Sequence, residues 1–186
     1  TKSGLSGGCR LVIPDGLTVV SRDGAETTII EGKSATSPVW SGCGTDSLRC
    51  VYVGNGSRLE GFTLRGGRAK TDGTTKTDGG GVYASGEKYN PGDSWIVDCV
   101  ITNCASHNTG GASFYGKFLR CRLLDCSTPS YASGIRCGAA YNCYFKGLSN
   151  NGFIDAGSGA PVQRIALPSK SKYPEPASSE VASLRV

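Results

Sequence analysis

Apolar and polar positions alternate along four segments of the chain. The segments are "SRLEGFTLRGG" (57–67), "WIVDCVITNCA" (95–105), "KFLRCRLLDCS" (117–127) and "AAYNCYFKGLS" (139–149). Aligned on cysteine, they share an apolar column Leu59/Val97/Leu119/Tyr141, a small column Gly61/Cys99/Cys121/Cys143, and a second apolar column Thr63/Ile101/Leu123/Phe145. The interleaved columns are Glu60/Asp98/Arg120/Asn142, Phe62/Val100/Arg122/Tyr144 and Leu64/Thr102/Leu124/Lys146, mixed and largely polar. A period of two with one apolar face predicts half-buried strands. Helices would place apolar residues three and four apart, and these segments do not.

The step from Cys99 to Cys121 to Cys143, and from Cys104 to Cys126, is 22 residues. On this alignment the step from Gly61 to Cys99 is 38, one unit plus 16 residues, and the excess falls in the polar, Gly-rich stretch 68–93. Each unit holds a second short segment behind glycines: "GGVYA" (80–84), "GGASFYG" (110–116) and "SGIRCG" (133–138). A chain that returns to the same column every 22 residues lays equivalent strands side by side and parallel. That predicts a single right-handed parallel β-helix of six or seven coils, all-β, with neighbouring strands about 4.8 Å apart. A sandwich or barrel has no reason to keep such a register.

In a stacked coil an inward residue touches its own column above and below. Free cysteine behaves there as a small buried hydrophobe. Cys99, Cys121 and Cys143 are expected to form one ladder, with Cys104 and Cys126 as a second. Rungs nearly 5 Å apart exceed the Cβ separation of about 3.8 Å that a disulfide wants, so reduced thiols are expected. Cys43 and Cys50 are close enough in sequence to bridge. The spacing leaves the state of Cys9, Cys43, Cys50 and Cys137 open.

Residues 17–32 read as strand, glycine turn, strand, and 48–56 as a further strand and turn. The chain divides into an N-terminal edge or cap (1–16), the β-helix (17–157) and a C-terminal edge strand or linker (158–186), the last containing two prolines in "YPEPASSEVASLRV". Solenoid ends need caps. A truncated array, or a cap from the tail or from a neighbouring chain, is expected.

Composition narrows the function. The net charge of +5 comes from 20 Lys and Arg scattered among 15 Asp and Glu. No basic run is interleaved with aromatics, so nucleic acid is not an expected partner. No apolar stretch approaches the roughly 20 residues of a membrane span. The chain has no Met, one His and nine Cys, none of them in a CxxC spacing. It reads as a processed or excised piece with neighbouring domains, and neither a metal nor another cofactor is expected.

The residues "SRDGAETTIIEG", "RCVYVGNGSRLEGFTLRGG", "GGGVY" and the repeated "DCVITNC…GGA" and "YNCYF" resemble the bacterial right-handed parallel β-helix repeat proteins. These share the pectin-lyase-like superfold and are similar to polymorphic outer-membrane and autotransporter passenger domains. The resemblance covers residues 10–148 and implies a secreted or cell-surface bacterial protein. Polysaccharide or a host or cell-surface glycan is the expected partner of a stalk, adhesin or glycan-contacting module. The superfold also hosts polysaccharide lyases and glycoside hydrolases, which makes an enzyme fragment acting on acidic polysaccharide the alternative. The Gly-His-Gly and Arg-Ile-Lys motifs of the polygalacturonases are missing.

A hydrolase needs a carboxylate pair and a lyase needs a base beside acidic groups. The best constellation for either is Glu60, Asp98 and Arg120, with Glu60 and Asp98 on adjacent rungs. Asp98, Arg120, Arg122 and Tyr144 are the candidate ligand-binding set. The competing expectation is a solvated face where Asp98 and Arg120 pair across rungs. His107 is expected in an ordinary turn, and Asn103 and Asp125 to satisfy turn backbone groups. Trp95, Tyr83, Tyr89 and Tyr115 are expected at loops, as packing or as sugar-stacking groups.

Overall fold

The computed structural model describes residues 8–71, 77–87 and 90–149 and the strand 154–155. Tyr89 and the segment 158–186 lie outside the described residues. Among the described residues sixteen short strands form three parallel sheets. The first sheet is β1 (Cys9–Ile13), β4 (Arg49–Val53), β7 (Val82–Ala84), β10 (Ser113–Phe114), β13 (Ile135–Arg136) and β16 (Ile154–Asp155). The second is β2 (Thr18–Val20), β5 (Arg58–Glu60), β8 (Trp95–Val97), β11 (Lys117–Leu119) and β14 (Ala139–Tyr141). The third is β3 (Ile29–Glu31), β6 (Thr63–Arg65), β9 (Val100–Thr102), β12 (Arg122–Leu124) and β15 (Tyr144–Lys146). The chain visits the sheets in fixed rotation, always pairing in parallel. This is a right-handed parallel β-helix, the hand that parallel crossovers take almost without exception.

Among the described residues five coils are complete and β16 opens a sixth. Strand β1 lies within the segment 1–16 and forms the first rung of the first sheet. The 22-residue step holds from Ile96 to Phe118 to Ala140. Earlier coils are longer: Val19 pairs with Leu59, and Leu59 with Ile96. The extra residues of coil 3 are split, some before β7 and the rest between β7 and β8.

The interior is a stack of like columns. Leu59, Ile96 and Phe118 line up from the second sheet, Leu64, Ile101 and Leu123 from the third, and Val51, Val82 and Ile135 from the first; all are fully buried. Between Val82 and Ile135 the rung of the first sheet is Ser113, whose hydroxyl donates to the Tyr115 carbonyl at 3.0 Å. An aromatic ladder runs along the first sheet through Tyr52, Tyr83 and Phe114, with ring centroids 6.4 and 5.4 Å apart. Tyr83 and Tyr115 are therefore packing residues. Burial, then the nearby Asp78 carboxylate, push the Tyr83 hydroxyl well above its usual pKa.

The alignment of coil 2 on coil 3 is corrected by one residue. Glu60 pairs with Val97 and Thr63 with Val100, so Gly61 stands over Asp98 and Gly66 over Asn103. The cause is a corner. "WIVDCVIT" is not one strand but two, in different sheets, bent at Asp98–Cys99. Asp98 takes φ 49°, as do its column-mates Gly61 (75°), Arg120 (53°) and Asn142 (51°). A second such column is Gly66, Asn103, Asp125 and Gly147. Glycine, Asn and Asp occupy this left-handed region at least cost. The bend resets the alternation, so Ile96, Cys99 and Ile101 face inward. Val97 shares the outer column of Glu60, Leu119 and Tyr141, although it is itself buried.

Arg120 is the costly member of its column. Arg120→Gly should be less destabilising than Arg120→Ala by about 1 kcal/mol, because both lose the side chain and only glycine relieves the backbone. Urea unfolding of the two variants checks the order.

Candidate functional site

Each corner cysteine follows a left-handed residue and turns its thiol back across the bend. Cys99, Cys104, Cys121, Cys126 and Cys143 donate to the carbonyls of Val97, Thr102, Leu119, Leu124 and Tyr141, at 3.2 to 3.5 Å. The backbone N–H of Cys121 donates to Cys143 Sγ at 3.4 Å, and that of Phe62 to Cys99 Sγ at 3.5 Å. The thiols thus cap carbonyls at the corner as well as filling space, a role that spacing alone did not suggest.

All nine cysteines are free and eight are buried; Cys143, at the end of its column, is partly exposed. Cys50, from the first sheet, joins Cys104 and Cys126 in the second ladder. Cys43 and Cys50 are not bridged. Their thiols donate instead to the carbonyls of Ala105 (3.5 Å) and Arg65 (3.4 Å).

Burial pushes the Cys99, Cys121 and Cys126 thiols up, Cys99 to about 11. Cys43 is likewise pushed up to about 11 by burial. A raised native pKa means that the unfolded chain ionises first. The stability these thiols contribute is full below about pH 9 and is lost as pH rises through about 11. Denaturant midpoints should fall across that window. A thiol reagent at pH 8 should modify Cys143 well ahead of the other eight, which should react fully only after denaturation.

Asp98 and Arg120 form a fork across one rung: Nε to Oδ1 at 2.8 Å and Nη2 to Oδ2 at 2.6 Å. Both side chains are partly exposed, so the pair is worth no more than about 1 kcal/mol. Its hydrogen bond to Asp98 raises the Arg120 pKa.

Glu60 does not share this column. It is bound by Arg58 on its own strand, at 2.7 Å. The expected Glu60–Asp98 rung neighbours are thus not rung partners, and each carboxylate is committed to an arginine. Arg122 and Tyr144 are rung partners, as expected, on the neighbouring third sheet. Both are exposed, and the Arg122 side chain makes no hydrogen bond or ion pair among the described residues. His107 is exposed in a turn. Asn103 and Asp125 are corner residues, and Asn103 Oδ1 accepts from Arg68 at 3.2 Å.

The outer face of the second sheet carries a group that the sequence reading only touched. Trp95 and Tyr141 stack with centroids 6.0 Å apart and planes at 28°. Lys117 Nζ lies 5.4 Å from the Trp95 ring centroid. Asp93, in the turn before β8, accepts from Trp95 Nε1 at 3.2 Å and pairs with Lys117 at 3.1 Å. The Lys117 hydrogen bond, then that from Trp95, hold the Asp93 carboxyl below its usual pKa. Trp95 and Lys117 are rung partners, and that pairing is the signal in the sequence that could have found the group.

Among the described residues no cluster of His, Cys, Asp and Glu is arranged to hold a metal ion, and no helix is long and apolar enough to cross a membrane. The class is set by fold and face: a right-handed parallel β-helix with an aromatic and ionic outer surface. No family model, curated protein or solved structure matches the chain.

Proposed function

We propose that the protein is a non-enzymatic β-helix module of an extracellular or cell-surface protein, and that its second sheet contacts polysaccharide. The carrying observation is the Trp95–Tyr141 platform with Lys117 and Asp93 at its margin. Aromatic faces offer the C–H surface of a pyranose a stacking partner, and a bracketing cation and carboxylate supply directional contacts to hydroxyls or a uronate.

The resemblance of residues 10–148 to bacterial surface β-helix proteins supports the setting. A lyase or hydrolase reading is not favoured, because Asp98 and Glu60 are each held by an arginine.

A glycan array, followed by calorimetry on the best binder, tests the proposal. Trp95→Ala should weaken binding at least tenfold, while Asp98→Ala with Arg120→Ala leaves it within about twofold. Binding that ignores Trp95→Ala, or uronate cleavage that disappears in the double variant, overturns it.

A further inference from the structure

From coil 2 to coil 5, every ionic side chain on the outer face of the second sheet and its corner has a counter-ion on that same face. In coil 2, Arg58 pairs with Glu60 at 2.7 Å. Between coils 3 and 4, Lys117 pairs with Asp93 at 3.1 Å and Arg120 with Asp98 at 2.6 Å. Three cations and three carboxylates leave a face of no net charge, on a chain whose net charge is +5. Arg122, which makes no ion pair among the described residues, lies past the corner on the third sheet.

The positions between these pairs are apolar or aromatic. Trp95, Val97, Leu119, Ala139 and Tyr141 hold the outer columns of coils 3 to 5. An incoming uronate would have to draw a cation away from a carboxylate that already binds it, an exchange of like for like. It would also lie among Glu60, Asp93 and Asp98, which repel it. A neutral sugar meets no such opposition. Its C–H face suits the aromatic rings, and its hydroxyls donate to the carboxylates and accept from the cations without breaking the pairs. The step from rung to rung is about 4.8 Å, close to the rise per sugar of an extended, equatorially linked pyranose chain. Successive sugars therefore meet successive coils when such a chain lies along the coil axis.

We propose that the ligand of this face is a neutral, equatorially linked pyranose chain, laid along the coil axis from coil 3 to coil 5. The inference rests on the glycan-binding reading above and excludes the uronate that reading leaves open.

The probes are cellohexaose, chitohexaose and hexagalacturonate, titrated by calorimetry into the full chain at about 50 and about 500 mM sodium chloride. A neutral hexasaccharide should bind with an affinity that changes less than about twofold between the two salts, and hexagalacturonate at least about tenfold more weakly. Asp93 is exposed in its turn, so Asp93→Asn keeps the fold and leaves Lys117 without its carboxylate. That variant should gain at least about fivefold in affinity for hexagalacturonate at the lower salt and lose the gain at the higher. A preference of the unaltered chain for hexagalacturonate, or neutral binding that falls more than about fivefold with salt, overturns the inference and leaves the glycan reading standing. An Asp93→Asn chain that still ignores hexagalacturonate overturns it equally, because paired charge is then not what keeps uronate away. Binding of none of the three probes overturns the inference, and silence across the whole glycan array overturns the reading beneath it.

Discussion

Phe118→Ala should cost about 3–5 kcal/mol, the largest effect of any single truncation in the interior. Phe118 is the bulkiest fully buried apolar side chain, at the middle of β11 between Ile96 below and Ala140 above. Small Ala140 offers little to fill the space, so the cavity persists. For a chain of this size the loss corresponds to a drop in melting temperature of roughly 10 °C. Its form matters as much as its size. Each coil touches only its neighbours, so damage in coil 4 weakens two interfaces and leaves those of coils 1 to 3 intact. The melt followed by circular dichroism should broaden or split into two steps. A single sharp transition at the original midpoint would contradict the stacked core.

Arg49→Met should cost about 2–4 kcal/mol, for a different reason. Arg49 is fully buried at the start of β4. Its Nε donates to the Gly79 carbonyl at 3.1 Å and its Nη2 to the Asp78 carbonyl at 3.0 Å. Its guanidinium lies 5.4 Å from the Tyr83 ring centroid. Methionine matches the length and removes the donors, leaving two carbonyls to find other partners. Arg49→Lys keeps the charge without the fork and should recover at most half of the loss. The damage should be local: amide exchange at 79–83 should accelerate far more than exchange at 117–124.

Much of the fold was legible because periodicity is a direct imprint of stacking. The interval between Cys99, Cys121 and Cys143 is the length of a coil, and the ladder follows from it. The corner was harder to read. Val97 and Leu119 are apolar and precede a polar residue and a cysteine, which imitates simple alternation. The signal that breaks the tie is the succession Gly61, Asp98, Arg120, Asn142, three of four being residue types that tolerate left-handed backbone. Arg120 disguised it. Aligning Gly61 on Cys99, both small, moved coil 2 by one residue and brought Glu60 into the wrong column. The Trp95–Tyr141 group was obscured because its members sit two coils apart in adjacent columns, a proximity that exists only once the register is known.

The two thiol columns have a use for anyone phasing crystals of this protein. With no methionine in the chain, cysteine supplies all of its sulfur. Most of that sulfur lies in two files parallel to the coil axis, stepped by about 4.8 Å. Long-wavelength anomalous diffraction should therefore reveal the direction and pitch of the winding before any chain is traced.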